Sequence, residues 1–291
     1  MNTPIISQLP LAPPDEKTRR ALINLLGDDS DDIARTIQKK ILSYGSLARL
    51  WLETESLNGD PLIRRRVRKL LELLRRSETD HRFLTFCQHH GEEFDLEQGV
   101  WHLAHTRHPD INIEAYQALL DDWAARLRET LRPYRQGESM LAVLNEFLFG
   151  ELGFKGNEKN YYDPENSYLN RVIDRRTGNP ISMCLIYLLL GRRLGLPLAG
   201  IGFPGHFLCR YQTSQEEHYI DVFNGGKLLT KPQCMKYLKQ KGFGVRKGYL
   251  VPISARRVLL RICANLHQIY LQFSEHEEAA RVQKYLVALA R

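Results

Sequence analysis

The segment that decides the fold runs from Asn179 to Gly226 and reads NPISMCLIYLLLGRRLGLPLAGIGFPGHFLCRYQTSQEEHYIDVFNGG. It starts with an apolar stretch at helical spacing that ends at Gly195, and glycine is a common residue just past a helix end. Extended stretches follow, turning at Pro204-Gly205 and again at Asn224-Gly225-Gly226, where small residues permit tight turns. The segment therefore predicts a helix followed by an antiparallel sheet, which is an α+β fold.

The sequence also predicts where the helix and the strands of this segment begin and end. Ser182 can accept hydrogen bonds from free backbone N–H groups, so it is the predicted N-cap of a helix that begins near Met183. Alternating and β-branched residues predict three strands, at 199–203, 206–211 and 218–223.

Two polar side chains of the predicted sheet can form a functional pair. His206 begins one strand and Asp221 lies near the end of the next. Side by side, Asp221 accepts a hydrogen bond from one imidazole nitrogen and leaves the other nitrogen facing the N-terminus of the helix. Papain-like sites place a cysteine there, because free N–H groups and the helix dipole lower the pKa of a thiol.

Four phrases of the sequence together carry a resemblance to a known family. They are NSYLN (166–170), RRTGNPIS (175–182), GFPGHF (202–207) and DVFNGG (221–226). These phrases resemble the SirB family, a bacterial group that also occurs inside certain F-box proteins, and the resemblance covers the chain from near residue 80 to near its end. It implies a papain/transglutaminase-like core followed by tetratricopeptide-like helices.

The resemblance also assigns roles at the site. The wider superfamily uses a Cys-His-Asp triad, in which His206 matches the histidine and Asp221 the aspartate. The cysteine position, counted back along the helix from Gly195, falls on Pro180, which has no nucleophile. Cys184, one turn later, is the alternative nucleophile, but a thiolate there lacks most free N–H donors of the first turn, and a buried core role is the competing interpretation.

A polar loop before the helix is a candidate binding element. Its side chains can line a cleft beside His206, or they can cap neighbouring backbone groups and serve only to order the loop. The predicted binding residues are Asn157, Tyr162, Asn166, Ser167, Tyr168 and Asn170, together with Asn224 of the hairpin turn.

The rest of the chain reads as helical arms around this core. We predict a flexible leader at 1–16, a HEAT-like helical region at 17–80, a helical part of the SirB-like region at 81–150, the core at 151–254 and a tetratricopeptide-like helix pair at 255–291. The HEAT-like label rests on apolar stripes at helical spacing that return about thirty residues later, after Asp60-Pro61 opens a helix. The first stripes are Ala21, Leu22, Leu25 and Leu26, then Ile33, Ile37 and Ile41, and the later one is Ile63, Val67, Leu70, Leu71 and Leu74. From Gly153 to about Ser254 the chain reads as turns and β-like runs, and the C-terminal helix pair should dock on the core or on a partner.

Composition and charge limit the classes of partner that the chain is expected to bind. Lys and Arg outnumber Asp and Glu by 41 to 34, and the excess is spread along the chain, so nucleic acid is not the expected partner. The cluster from Arg64 to Arg76 leaves that alternative open, although no aromatic residues interleave with it. No apolar stretch is long enough to span a membrane, and residues 1–17 do not read as a secretory signal.

No metal or other cofactor is predicted. His102, His105 and His108 recur at helical spacing without a carboxylate or cysteine in register. Five widely spaced cysteines form neither a disulfide framework nor a zinc motif, which indicates a cytoplasmic protein.

Three functions are compatible with these sequence features, and we give them in order of preference. The first is a non-catalytic interaction or regulatory module for a protein or peptide partner. The second is a thiol hydrolase or amide-transfer enzyme that uses Cys184, His206 and Asp221. The third is a nucleic-acid-associated regulator that uses the Arg64–Arg76 face.

Overall fold

A computed structural model of the protein describes residues 13–89, 91, 94–135, 137–244 and 247–290. Residues 1–12 of the predicted leader lie outside the described residues. The chain divides into two compact units, Met1–His81 and Arg82–Arg291.

The first unit is helical throughout its described part. Its elements are α1 (Glu16–Leu26), α2 (Asp31–Leu42), α3 (Ser46–Glu55) and the first part of α4 (Pro61–His89). Asp60 accepts hydrogen bonds from the N–H groups of Leu62 and Ile63, which confirms the predicted helix start at the Asp-Pro pair.

The apolar stripes of this unit were predicted in part. The stripe of α4 is buried as expected, from Ile63 to Leu74. Leu25 and Ile33 are 43% and 40% exposed, so their assignment to the buried stripes of α1 and α2 was wrong. Helix α3 was not predicted, and it brings Trp51 and Leu52 into the same core.

The second unit holds eight helices among its described residues. They are α5 (Leu96–Arg107), α6 (Ile113–Leu131), α7 (Gly137–Asn145), α8 (Leu169–Arg175), α9 (Pro180–Leu194), α10 (Lys231–Gln240), α11 (Ala255–Gln272) and α12 (His276–Leu289), besides the end of α4. A π-helical turn at Glu146–Glu151 extends α7, and 3₁₀ turns lie at Pro164–Ser167 and Lys247–Leu250. None of the helices in the described part of the chain is both long and apolar enough to cross a membrane.

Two sheets complete this unit. Strands β1 (Lys155–Gly156) and β2 (Thr177–Gly178) form a short parallel pair. The larger sheet is antiparallel, in the order β3-β4-β5-β6, with β3 at Leu198–Ile201, β4 at Leu208–Gln212, β5 at Glu217–Asp221 and β6 at Lys227–Leu229. The Asn224-Gly225-Gly226 turn joins β5 to β6, as the sequence predicts.

Helix α9 is the centre of the core. From Pro180 to Tyr187 every residue is buried, which is the pattern of a helix that is covered on all sides. The C-terminal helix pair packs against the same core through the buried stripe of α11, and the hydroxyls of Tyr168 and Tyr270 share a hydrogen bond of 2.9 Å. The prediction that this pair docks on the core is therefore confirmed for α11 and α12.

Several element limits differ from the sequence expectation. Helix α9 begins at Pro180 with Asn179 as its N-cap, so the predicted cap at Ser182 was wrong. Gly195 ends the helix at φ 69°, as predicted. Strand β4 begins at Leu208, which leaves His206 in the preceding turn rather than on the strand.

Helix α10 lies where the sequence was read only as turns and β-like runs. Thr230 accepts from the N–H of Gln233 at 3.4 Å, and the Gln233 side chain accepts from the N–H of Thr230 at 2.7 Å. This is a capping box with Pro232 in the first turn, a start signal that was present in the sequence.

Candidate functional site

A histidine–aspartate pair forms the sheet side of the site. Nε2 of His206 lies 2.8 Å from Oδ1 of Asp221, and the two side chains are 14% and 12% exposed. The predicted pairing is present in the structure, although His206 reaches Asp221 from a turn. That turn includes Gly205 at φ 69°, a backbone angle that favours glycine.

The turn that presents His206 is anchored from α11. Nη2 of Arg261 donates to the backbone carbonyls of Phe203 at 2.7 Å and of His206 at 2.6 Å. Arg261 therefore fixes the backbone of His206, and the sequence reasoning missed it.

Asp221 is held by a second residue of the hairpin. The side-chain amide of Asn224 donates to Oδ2 at 2.8 Å, and its backbone N–H donates to Oδ1 at 3.3 Å. Burial raises the pKa of Asp221, but the hydrogen bond and charge of His206 and the Asn224 bonds outweigh it, so the pKa lies below its usual value. Of the predicted binding residues, Asn224 thus acts within the site by orienting Asp221.

The other imidazole nitrogen is available. Nδ1 of His206 has no hydrogen-bond partner among the described residues, while Nε2 is held by Asp221. The imidazole ring meets Phe223 edge-on at 6.1 Å, and Phe223 meets Tyr161 edge-on at 6.0 Å. This aromatic chain links the histidine to the loop that precedes α9.

The helix side of the site is closed. The side chain of Asn179 accepts from the N–H groups of Ile181 and Ser182 at 3.1 and 3.0 Å, and Pro180 has no N–H to offer. The amide of Asn179 also donates to the hydroxyl of Ser167 at 3.0 Å. The first-turn donors that stabilise a thiolate in papain-like sites are therefore already bonded or missing.

Cys184 lies inside the core. Its side chain is fully buried, and its thiol lies 3.7 Å from the carbonyl oxygen of Phe207 as a donor. The thiol of Cys209 in turn donates to the carbonyl of Cys184, also at 3.7 Å. Burial, reinforced by Cys209 and by the negative charge of Asp221, raises the pKa of Cys184 well above its usual value.

The predicted binding loop divides into a buried and an exposed part. Four of the predicted residues are buried, namely Asn166, Ser167, Tyr168 and Asn170. The amide of Asn166 donates to the carbonyls of Asn160 and Tyr161 at 2.8 and 3.2 Å, and its oxygen accepts from Asn157 at 2.8 Å. Tyr162 is 52% exposed and faces outward.

A small pocket lies beside the exposed part of the loop. It has a volume of about 120 Å³ and is lined by Tyr161, Tyr162 and Asn179 on one side and by Asn265, Gln268, Ile269 and Gln272 of α11 on the other. The α11 residues were not predicted as site residues. Their spacing on the polar face of an amphipathic helix was the signal that could have found them.

The arginine cluster of the first unit is partly occupied by structural contacts. Arg64 donates to the carbonyls of Asn58 and Gly59, and Arg66 donates to those of Leu26 and Asp28. These two arginines close helix and turn ends, so they contribute less to a free cationic face than the sequence indicates.

A metal site does not emerge from the described residues. No group of three His, Cys, Asp or Glu side chains there is placed to hold an ion. Of the spaced histidines, His105 uses Nε2 on the carbonyl of Pro109 at 2.8 Å.

A buried helix is followed by an antiparallel sheet, with Asp221 at the end of β5 and His206 in the turn before β4. This arrangement defines the class of core that the sequence predicted. Residues 114–264 match the sequence profile of the transglutaminase-like superfamily, and the chain belongs to this family.

Bacterial relatives carry the same region. The chain is 35% identical over 193 residues to a UPF0162 protein of Xylella fastidiosa strain 9a5c, a match that covers 64% of this chain and 69% of the relative. It is 29% identical over 143 residues to a UPF0162 protein of Vibrio cholerae, which covers 49% and 53% of the two chains. These matches support the predicted SirB-type family.

A eukaryotic relative matches as well. The chain is 31% identical over 229 residues to human F-box only protein 21, covering 68% of this chain and 36% of that protein. No solved structure matches the chain significantly. The HEAT-like and tetratricopeptide-like labels for the helical arms stay predictions.

Proposed function

We propose that this chain is a non-catalytic member of the transglutaminase-like superfamily that binds a protein or peptide segment in the cleft beside His206. One observation carries the proposal. Pro180 occupies the first position of α9, and Cys184, the next candidate nucleophile on that helix, is fully buried.

The chemistry of thiol catalysis explains why this observation matters. A catalytic cysteine must be accessible to substrate, must lie within hydrogen-bond reach of its base, and needs a lowered pKa. Cys184 donates to the backbone of Phe207, and burial raises its pKa. His206 and Asp221 supply a base and its orienting carboxylate, whereas Cys184 does not meet the requirements for a nucleophile.

The retained pair fits a binding role. Asp221 fixes the imidazole of His206 through Nε2, which leaves Nδ1 to exchange a hydrogen bond with a partner. Tyr162 and the adjoining pocket supply exposed aromatic and amide groups nearby. An interaction or regulatory role of this kind needs no cofactor. We propose a cytoplasmic location, which the five free, buried cysteines support because such thiols are compatible with a reducing compartment.

A displayed library of random peptides tests the proposal. Immobilised protein should enrich a defined peptide, and His206→Ala should weaken its binding about tenfold because a hydrogen bond in the cleft is lost. Cys184→Ser should leave the affinity unchanged. His276→Ala, which replaces an exposed histidine of α12, is the matched control.

Two outcomes would contradict the proposal. One is a library that yields no peptide above background on the folded protein. The other is an enriched peptide whose affinity depends on Cys184 and is indifferent to His206. The melting temperature of each variant, measured in parallel, separates lost binding from lost folding.

The competing function is a thiol hydrolase or amide-transfer enzyme built on Cys184, His206 and Asp221. The intact 2.8 Å histidine–aspartate contact, with Nδ1 available, favours it. It requires an opening of the core that exposes Cys184, and the thiol-labelling experiment in the Discussion tests that requirement.

A further inference from the structure

The side of α11 that faces the small pocket carries a stripe of hydrogen-bonding residues. Arg261, Asn265, Gln268 and Gln272 follow one another at the spacing of successive turns, so they share one face of the helix. The opposite face is apolar and buried in the core. The polar stripe therefore has a fixed position over the loop that carries Tyr161 and Tyr162.

The side-chain amides of this stripe make no hydrogen bonds to the described residues. Asn265, Gln268 and Gln272 line the 120 Å³ pocket, and their side chains have no hydrogen-bond partner among the described residues. Asn265 is half-buried, so its amide is held against the pocket wall. Each carboxamide offers two N–H donors and an acceptor to whatever enters the pocket.

The positive charge of Arg261 is met by neutral groups only, since its guanidinium lies 5.6 Å from the centre of the Phe207 ring. Arg261 is half-buried, its Nη2 is bonded only to the carbonyls of Phe203 and His206, and no carboxylate of the described residues pairs with it. Burial lowers its pKa, as expected for a cation that loses water without gaining an anion. Arg261 stands one helical turn before Asn265, which lines the pocket, and its bond to the His206 carbonyl places it beside the aromatic chain that runs through Phe223 to Tyr161.

We propose that this pocket receives the carboxylate of a glutamate or aspartate side chain of the bound peptide. Arg261 supplies the compensating charge, and Asn265 and Gln268 supply hydrogen-bond donors. The inference rests on the proposed peptide binding and names what the cleft selects. A cationic side chain would be repelled by Arg261, and a neutral amide would leave that charge unpaired.

The size of the pocket fits one side chain. Pockets for whole small ligands usually measure about 300–1,000 Å³, several times the volume found here. The remainder of the peptide would therefore run along the open cleft toward His206.

Synthetic versions of the library-selected peptide test the inference. We expect enriched sequences to share a Glu or Asp, and a Glu→Gln version to bind wild-type protein about tenfold more weakly, as charge-assisted hydrogen bonds are lost. In Arg261→Gln the same peptide change should have little effect, because the two groups form one interaction. Asn265→Leu should weaken the acidic peptide severalfold, and Gln283→Leu on the exposed side of α12 is the matched control.

The outcomes separate the two proposals. Enriched peptides without an acidic residue, or an equal Glu→Gln loss in wild type and Arg261→Gln, overturn the pocket assignment and leave peptide binding intact. If Arg261→Gln does not fold, the same comparison in Asn265→Leu decides, with an unchanged affinity for the acidic peptide counting against the assignment. A library with no enriched peptide overturns the proposed function itself, and the pocket assignment with it.

Discussion

The sheet side and the helix side of the site differ in how their polar groups are bonded. On the sheet side, His206 and Asp221 stand 2.8 Å apart, with Asn224 bracing the carboxylate. On the helix side, Pro180 opens α9 and the thiol of Cys184 is fully buried. The sheet side leaves Nδ1 of His206 without a hydrogen-bond partner among the described residues, whereas the first-turn N–H groups of the helix side are bonded to Asn179.

The start of α9 is stable without a catalytic group. Proline is well tolerated in the first turn of a helix, because the N–H it lacks would have no partner within the helix. Asn179 satisfies the next N–H groups, so the start of α9 is stable without an anion. The helix can therefore keep its position whether or not the imidazole opposite it takes part in catalysis.

The largest expected effect is on the reactivity of Cys184. We predict that iodoacetamide labels this thiol in the native protein roughly a thousandfold more slowly than in denaturant, because access requires unfolding of the core. Peptide mass spectrometry over a range of pH gives the rate at each cysteine. His206→Ala should not change the native rate at Cys184.

Cys263 is the matched internal control for this measurement. It is fully buried on α11, and burial likewise raises its pKa well above the usual value. Cys184 and Cys263 should therefore be protected alike. Selective labelling of Cys184 near neutral pH that disappears in His206→Ala would revive the enzyme and remove the contrast between the two sides.

The next effect is on the stability of the helix-side loop. Asn166→Ala should lower the free energy of unfolding by about 3 kcal/mol, because the carbonyls of Asn160 and Tyr161 would lose a buried donor. Tyr162→Ala, in the exposed part of the same loop, should change it by less than about 0.5 kcal/mol. Urea unfolding followed by circular dichroism measures both.

A different result for Asn166→Ala would mean that the loop is a binding element and not only a structural one. If Asn166→Ala kept full stability and lost peptide binding, Asn166 would contact the partner rather than order the loop. The loop would then belong with the sheet side as a binding surface.

Much of the fold was predictable, because its signals are local. The apolar run of α9, the glycine after it and the Asn-Gly-Gly hairpin each depend on a few neighbouring residues, and each was found. Helix α10 was missed although its capping box is written at Thr230 and Gln233, because the surrounding turns were taken to continue the β-like pattern. Leu25 and Ile33 show the limit of periodicity, since exposed apolar residues at helical spacing resemble buried ones.

Only the site residues that lie within the family motifs could be predicted from the sequence. The His206–Asp221 pair followed from two short phrases, but Arg261 lies in a helix far along the chain and no local pattern ties it to the His206 turn. The sequence also does not show whether the polar side chains of the loop are buried, since such a loop can face either solvent or the core. Asn166 and Asn170 proved buried for reasons of tertiary packing that the sequence does not state.

The smallest expected effect is on the free energy of unfolding when the charge of Asp221 is removed, which tests whether an ionised carboxylate holds His206 in place. Asp221→Asn should lower the free energy of unfolding by about 2 kcal/mol at neutral pH, because hydrogen bonds to an ionised carboxylate are stronger than those to an amide. Asp122→Asn, at an exposed position of α6, is the control and should have little effect.

The pH dependence of this difference has a definite sign. The pKa of Asp221 is lowered in the folded chain, so its contribution is complete above the pKa of an unfolded aspartate, about 3.9. It is lost as the pH falls through the folded-state pKa, and wild type and Asp221→Asn should converge in stability in that acid range. A difference that instead grew as the pH fell toward about 4 and then stayed constant would mean that the pKa of the carboxyl is raised in the folded protein. His206 would then be positioned by packing, and the sheet side would be as inert as the helix side.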